Sequence, residues 1–154
     1  MKAWKVVLAS DHAGLALKRH LSEFLKREGC QVVDVGTHAP DSCDYPDFAA
    51  EGARRLAAGE FERGIFVCGS GVGIAMAANK ISGIRAASCA FEFLAELTRR
   101  DNDANVLCLG ERVVAPALAE AITKRFLETE FAGGRHARRL EKIGQLEREG
   151  RGPR

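Results

Sequence analysis

Two rhythms of apolar residues alternate along this chain. Short runs rich in Val, Ile, Leu and Cys have the composition of buried strands. Between them lie longer stretches whose apolar residues recur every three or four positions, as on amphipathic helices. Trp4 to Ser10 (WKVVLAS) predicts a first strand, and Leu15 to Glu28 a helix with Leu17, Leu21, Phe24 and Leu25 on one stripe. Gly29 stops that helix and Gln31 to Val35 reads as the second strand, followed by a loop over Gly36 to Cys43. Asp44-Tyr45-Pro46-Asp47 combines an N-cap candidate, an early proline and a first-turn acid, and predicts a helix to about Ala58. Phe61 to Cys68 is the third strand and Val72 to Lys80 the third helix. Ile84 to Cys89 and Asn105 to Leu109 complete five strands, with a helix over Phe91 to Arg100 between them. Pro116 opens a helix to about Thr129, Gly133-Gly134 breaks the chain, and a basic helix follows from about His136. Such alternation predicts βαβ units, hence an α/β fold with a parallel sheet covered on both faces.

At 154 residues the chain fits one domain with a proper core. A net charge of +2 argues against a nucleic-acid binder driven by bulk charge. The charge is uneven, since Arg135 to Arg154 carries six Arg and one Lys against three Glu, a local +4. The five cysteines (Cys30, Cys43, Cys68, Cys89, Cys108) form no CxxC pair, which suits free thiols in a cytoplasmic protein. The four histidines have no ligand spacing, so no metal is expected, and no apolar run reaches membrane-spanning length.

In open α/β sheets ligands bind beyond the carboxyl ends of the strands. Those ends carry Asp11-His12, the loop after the second strand, Cys68 to Gly73, and Gly110-Glu111-Arg112. The Cys68-Gly69-Ser70-Gly71-Val72-Gly73 turn is the most informative of them. Its three glycines let backbone N–H groups approach a ligand at a helix start, and a thiol beside a helix N-terminus ionises more easily than a free one. Cys68 thus reads as a base or nucleophile, or as a strand cysteine that only packs. Ser70 reads as a proton relay or a turn residue, and Asp11-His12 as an acid/base pair or a helix start. The dinucleotide fingerprint fits poorly, because the next strand ends Ala86-Ala87-Ser88-Cys89 without an acid, and no Gly-Lys-Ser/Thr makes a P-loop.

Read together, Asp11-His12-Ala13-Gly14, Asp44-Tyr45-Pro46-Asp47, Cys68 to Ile74, Ala77 to Lys80 with Gly83 to Ala86, Asn102 to Leu107, and Gly133-Gly134-Arg135-His136 make the chain closely resemble the type B ribose-5-phosphate isomerases. The galactose-6-phosphate isomerase subunits belong to the same wider group. The resemblance runs from about residue 4 to about 147. It implies a Rossmann-like α/β/α sandwich with a five-stranded parallel sheet, no cofactor, and a homodimer or tetramer with active sites at the dimer interface. It implies one isomerase domain over residues 1–147, a last helix packed on the partner, and a disordered tail over 148–154. Carried over by position, Cys68 is the general base and Ser70 a hydroxyl in proton transfer. Gly69, Gly71, Val72 and Gly73 hold the enediolate oxygens. Asp11 and His12 contact substrate, Tyr45 walls the pocket and Asn102 binds sugar, while Arg112, Arg135 and Arg139 bind phosphate. Relatives that use a glutamate after the last glycine differ from this chain, which has Ile74.

One position departs from the pattern. The family usually has His-Asn-Asp where this chain has Asp101-Asn102-Asp103, and that histidine is the proposed acid for opening the sugar ring. An aspartate with an ordinary pKa of about 3.9 is ionised at neutral pH and has no proton to give. Asp101 with a raised pKa or acting as a base, His12 as the donor, or an acyclic substrate are the three ways out. The activity that the resemblance implies is ribose 5-phosphate to ribulose 5-phosphate isomerisation. Its alternatives are isomerisation of a tetrose 4-phosphate or a hexose 6-phosphate, and sugar-phosphate or nucleotide sensing without turnover.

Overall fold

The computed structural model describes residues 1–150. Five strands, β1 (Lys5–Ser10), β2 (Gln31–Asp34), β3 (Arg63–Cys68), β4 (Ala86–Ser88) and β5 (Val106–Gly110), form one sheet in the order β2-β1-β3-β5-β4. Every neighbouring pair is parallel. Six α-helices accompany them: α1 (Leu15–Arg27), α2 (Tyr45–Ala57), α3 (Val72–Ala78), α4 (Glu92–Arg100), α5 (Pro116–Glu128) and α6 (Arg135–Glu149). Each expected strand and helix is present, shifted by one or two residues at most ends. A 3-10 turn over His12–Gly14, which the periodicity does not predict, precedes α1.

The layering follows from side-chain alternation on the strands. Val6, Leu8, Ile65, Val67, Leu107 and Leu109 point to one face and pack with Leu21 and Leu25 of α1, Ala95 of α4 and Ile122 and Phe126 of α5. Val7, Ala9, Phe66, Cys68, Val106 and Cys108 point to the other and meet Ala49 and Ala53 of α2 and Ile74 and Ala78 of α3. Strands wetted on neither face need such continuous apolar runs, and Val6 to Ala9 are wholly buried. The result is the expected three-layer sandwich.

Two local expectations change. Asp44 occupies the N-cap of α2, but its side chain makes no capping hydrogen bond, and the turn closes instead through Asp47 N–H to the Asp44 carbonyl. Helix α6 continues to Glu149, into the stretch expected to be tail, and residues 151–154 lie outside those described. No residue of α6 is buried, and Ile143 and Leu146 are largely exposed.

Chain direction across the sheet reverses between β1 and β3, the topological switch point where α/β sheets open a crevice at their carboxyl ends. Asp11-His12 leaves β1 there and Cys68 leaves β3. In the β3–β5 ladder Cys68 is opposite Gly110, which brings Glu111 and Arg112 to the same rim.

Candidate active site

A cavity of about 360 Å³ opens at this switch point, lined by Asp11, His12, Tyr45, Cys68, Gly69, Ser70, Gly73 and Arg112 with Ala13. Cys68 forms its floor. The side chain is 4% exposed, buried by the sheet yet reaching the cavity, and its Sγ accepts the Gly71 N–H at 3.2 Å. That geometry depends on Gly71, whose φ of +79° is left-handed and whose missing Cβ would sit 2.8 Å from the Leu109 carbonyl carbon. Ser70 is exposed, and its Oγ accepts the Val72 N–H at 3.2 Å. Two N–H groups of the turn are therefore engaged by the turn's own side chains, one holding the sulfur and one holding the hydroxyl.

Around this floor stand four side chains of different character. Asp11 is buried and caps the 3-10 turn by accepting the Ala13 N–H at 3.0 Å. His12 accepts the Cys43 N–H at its Nδ1, 3.2 Å away, so the neutral ring carries its proton on Nε2. The motifs give Cys43 no role, and no spacing rule pairs it with a residue 31 positions earlier. Arg112 lies over Gly69: a Cβ there would be 3.0 Å from the guanidinium Nη1. Its position is set by main-chain bonds that extend the ladder, Glu111 N–H to the Cys68 carbonyl and Arg112 N–H to the Gly69 carbonyl, both 3.0 Å. Glu111 turns the other way and its Oε2 accepts the Leu17 N–H of α1 at 2.9 Å. Tyr45, 37% exposed, covers Gly73 as the outer wall.

The remaining expected site residues are elsewhere on the same chain. Asp101 and Arg135 line a separate cleft of about 370 Å³ with Arg100, His136 and residues 132–134. Asp101 Oδ1 accepts the Arg100 Nε–H at 2.9 Å and lies 3.6 Å from His136 Nε2. The Arg100 hydrogen bond, with the charges of Arg100, His136 and Arg135 behind it, holds the Asp101 carboxyl below its ordinary range. A raised Asp101 pKa, one of the three ways to open the ring, is thereby disfavoured. Asn102 lines a third groove under α6, in a turn fixed by Arg85 and Arg99, which grip Asp103 at 2.9 and 2.7 Å. Arg139 is exposed one turn beyond Arg135 on α6. Among the described residues no cluster of three or more His, Cys, Asp or Glu side chains is placed to hold a metal ion, and no helix is long and apolar enough to cross a membrane.

Comparison with known proteins places this geometry. Residues 6–143 match the ribose/galactose isomerase family. The chain is 43% identical over 143 residues to ribose-5-phosphate isomerase B of Escherichia coli, spanning 93% of this chain and 96% of that one. It is 38% identical over 143 residues to the D-erythrulose-4-phosphate isomerase of Pectobacterium atrosepticum, covering 92% and 94% of the two chains. Among solved structures, ribose-5-phosphate isomerase B of Clostridium thermocellum superposes with a TM-score of 0.94 at 50% identity, over 95% of this chain and 99% of that one. With fold, chain order and length all in agreement, this protein belongs to the ribose/galactose isomerase family of sugar-phosphate isomerases.

Proposed function

We propose that the chain interconverts ribose 5-phosphate and ribulose 5-phosphate through an enediolate, with Cys68 as the base. The observation that carries this reading is the thiol of Cys68 at the floor of the switch-point cavity, with His12 and Arg112 in the same cavity. Aldose–ketose isomerisation takes a proton from the carbon next to the carbonyl and returns it to the former carbonyl carbon. One base on the reacting edge serves both transfers, and it is most effective with a pKa near the working pH. The negative charge grows on the two sugar oxygens, where oriented donors matter most. The amides of the glycine turn left over from holding Cys68 and Ser70, together with His12 Nε2–H, are the donors at hand. Ser70 Oγ relays a proton between the oxygens, and Asp11 and Tyr45 bound the sugar. A guanidinium such as Arg112 grips the phosphate through paired N–H groups and fixes the carbons against the sulfur.

Asp101, Asn102, Arg135 and Arg139 act in this scheme from a second copy of the chain. Their separation from Cys68 within one chain supports that reading, as does α6, which leaves Ile143 50% and Leu146 67% exposed. A homodimer in the cytoplasm, with α6 laid on its partner, is the assembly we infer. Replacing Cys68 by Ala tests the chemistry. Isomerisation of ribose 5-phosphate, followed by NMR, should fall about a thousandfold while calorimetric binding of the sugar phosphate persists. A variant that keeps its rate excludes Cys68 as the base.

A second substrate is favoured by one observation, the Arg100-bound Asp101, which stays anionic where ring opening calls for an acid. Tetrose 4-phosphates carry phosphate on O4 and cannot close a furanose, so they need no such acid. One relative is named for D-erythrulose 4-phosphate. Comparing kcat/KM on ribose 5-phosphate and erythrose 4-phosphate decides between the two. A large preference for ribose 5-phosphate that Asp101→Asn abolishes ends the acyclic reading.

A further inference from the structure

Lys18 is the one lysine on the stripe side of α1 that is wholly buried, and neither the motifs nor the reaction scheme gives it a task. Its ammonium meets Asp34 at the end of β2, 2.9 Å from Oδ1 and 2.8 Å from Oδ2, and also donates to the Thr37 carbonyl. Asp34 Oδ1 accepts in addition the Gly36 N–H at 2.9 Å. These bonds press the start of the 36–43 loop onto the end of β1: Thr37 N–H reaches the Ser10 carbonyl at 2.9 Å, and a Cβ on Gly36 would fall 2.4 Å from the Ser10 nitrogen. From His38 to Ser42 the loop is exposed, with His38 Nδ1 3.9 Å from Asp34 Oδ2 and the His38 carbonyl accepting from Arg19 at 2.8 Å. At its far end the loop returns inward at Cys43, whose N–H bonds His12 Nδ1.

We propose that Lys18 is a positioning residue for His12: with Asp34 it pins the root of the 36–43 loop, so that Cys43 N–H locks the imidazole as its Nε2–H tautomer toward the bound sugar phosphate. The inference rests on the isomerase reading for its kinetic consequence but not for the tautomer itself. Stability alone gives little reason for the pair, since a buried ion pair can be exchanged for apolar residues of similar volume with no loss of fold. The ammonium is suited to this task because its three N–H donors reach the Asp34 carboxylate and the Thr37 carbonyl from one point, and its charge strengthens the bond to the carboxylate. Lys18, on the helix shortly beyond His12, thus fixes the start of the loop, and His12 itself takes its far end.

Lys18→Met alone strands the Asp34 carboxylate, so the informative variant is the double Lys18→Met/Asp34→Leu, which removes both charges together. Nitrogen-15 NMR of the neutral His12 ring should show a single Nε2–H tautomer in the wild type and a mixture in the double variant. Its kcat/KM on ribose 5-phosphate should fall about tenfold, through kcat more than KM. A wild-type His12 protonated on Nδ1 overturns the proposal, whatever the variant does. So does a folded double variant with an unchanged tautomer. A mixed tautomer in a protein that isomerises no aldose phosphate upholds the clamp and sinks the isomerase reading instead.

Discussion

Gly73→Ala separates what the fold needs from what the pocket needs. Gly73 lies in the first turn of α3 with an ordinary helical φ, so alanine meets no backbone strain there. In a helix the exchange favours folding by up to about 1 kcal/mol. The new Cβ, however, would sit 2.7 Å from Tyr45 Cζ and 2.9 Å from its Oη. Ordinary contact begins at 3.4 Å, so the ring must retreat by 3.4 − 2.7 = 0.7 Å. Tyr45 is 37% exposed, and swinging outward costs it little packing. Stability should thus hold or rise, with a melting temperature up by as much as about 4 °C by calorimetry. The pocket loses its outer wall, and a displacement of this size should lower kcat/KM about tenfold, mostly through KM. A variant that melts well below the wild type, or that binds and turns over sugar phosphate unchanged, refutes this account of Gly73.

Three further outcomes follow from other contacts. Gly110→Ala places a Cβ 2.5 Å from the Ser70 carbonyl carbon and 2.6 Å from its oxygen, main-chain atoms that cannot swing aside. Calorimetry should show about 2–3 kcal/mol lost, and a melting temperature within a degree of wild type contradicts the packing. Burial pushes the Cys89 thiol up to about 11 and that of Cys108 well above its ordinary 9. Both are then protonated in the fold while an unfolded chain releases their protons near pH 9, so stability is full below that pH and declines as it rises toward 11. Unfolding at several alkaline pH values should show this slope, and Cys89→Ala with Cys108→Ala should flatten it. Arg112→Lys keeps the charge but loses the forked geometry, and steady-state kinetics should show KM rising more than kcat falls; equal loss in both points to a role at the reacting carbons.

Much of this molecule is legible from residue order because its signals are local. Val6 to Ala9 and Ile65 to Val67 have no wet face, so their composition alone marks them as central strands. Asp11, His12, Cys68 and Arg112 share a cavity because each ends or shortly follows a strand, and these carboxyl ends lie on one edge of the parallel sheet. What escapes the sequence is long-range. Chain order alone does not say that β5 lies inside β4, and the only local hint is that Ala86-Ala87-Ser88 is shorter and less apolar than Val106-Leu107-Cys108-Leu109. Lys18 falls on a helix stripe where a lysine reads as a solvated edge, and only the acid closing β2, Asp34, hints at a partner. Asp44 has the right type and place for a cap, yet the local chain turns its side chain away. The motif residues Asp101, Asn102 and Arg135 line other clefts than the one holding Cys68, and a motif lists residue types without saying where in space they meet.

The strand order has a consequence for how the molecule is made. β4 touches the sheet only through β5, which is synthesised after it. A nascent chain leaving the ribosome can assemble β1, β2 and β3 in turn, but β4 must wait, unpaired, until the next strand threads between it and β3. That same late strand brings in the arginine of the cavity rim. The half of the protein that holds the thiol is thus built first, and the cleft around it closes only when the far edge is locked in place.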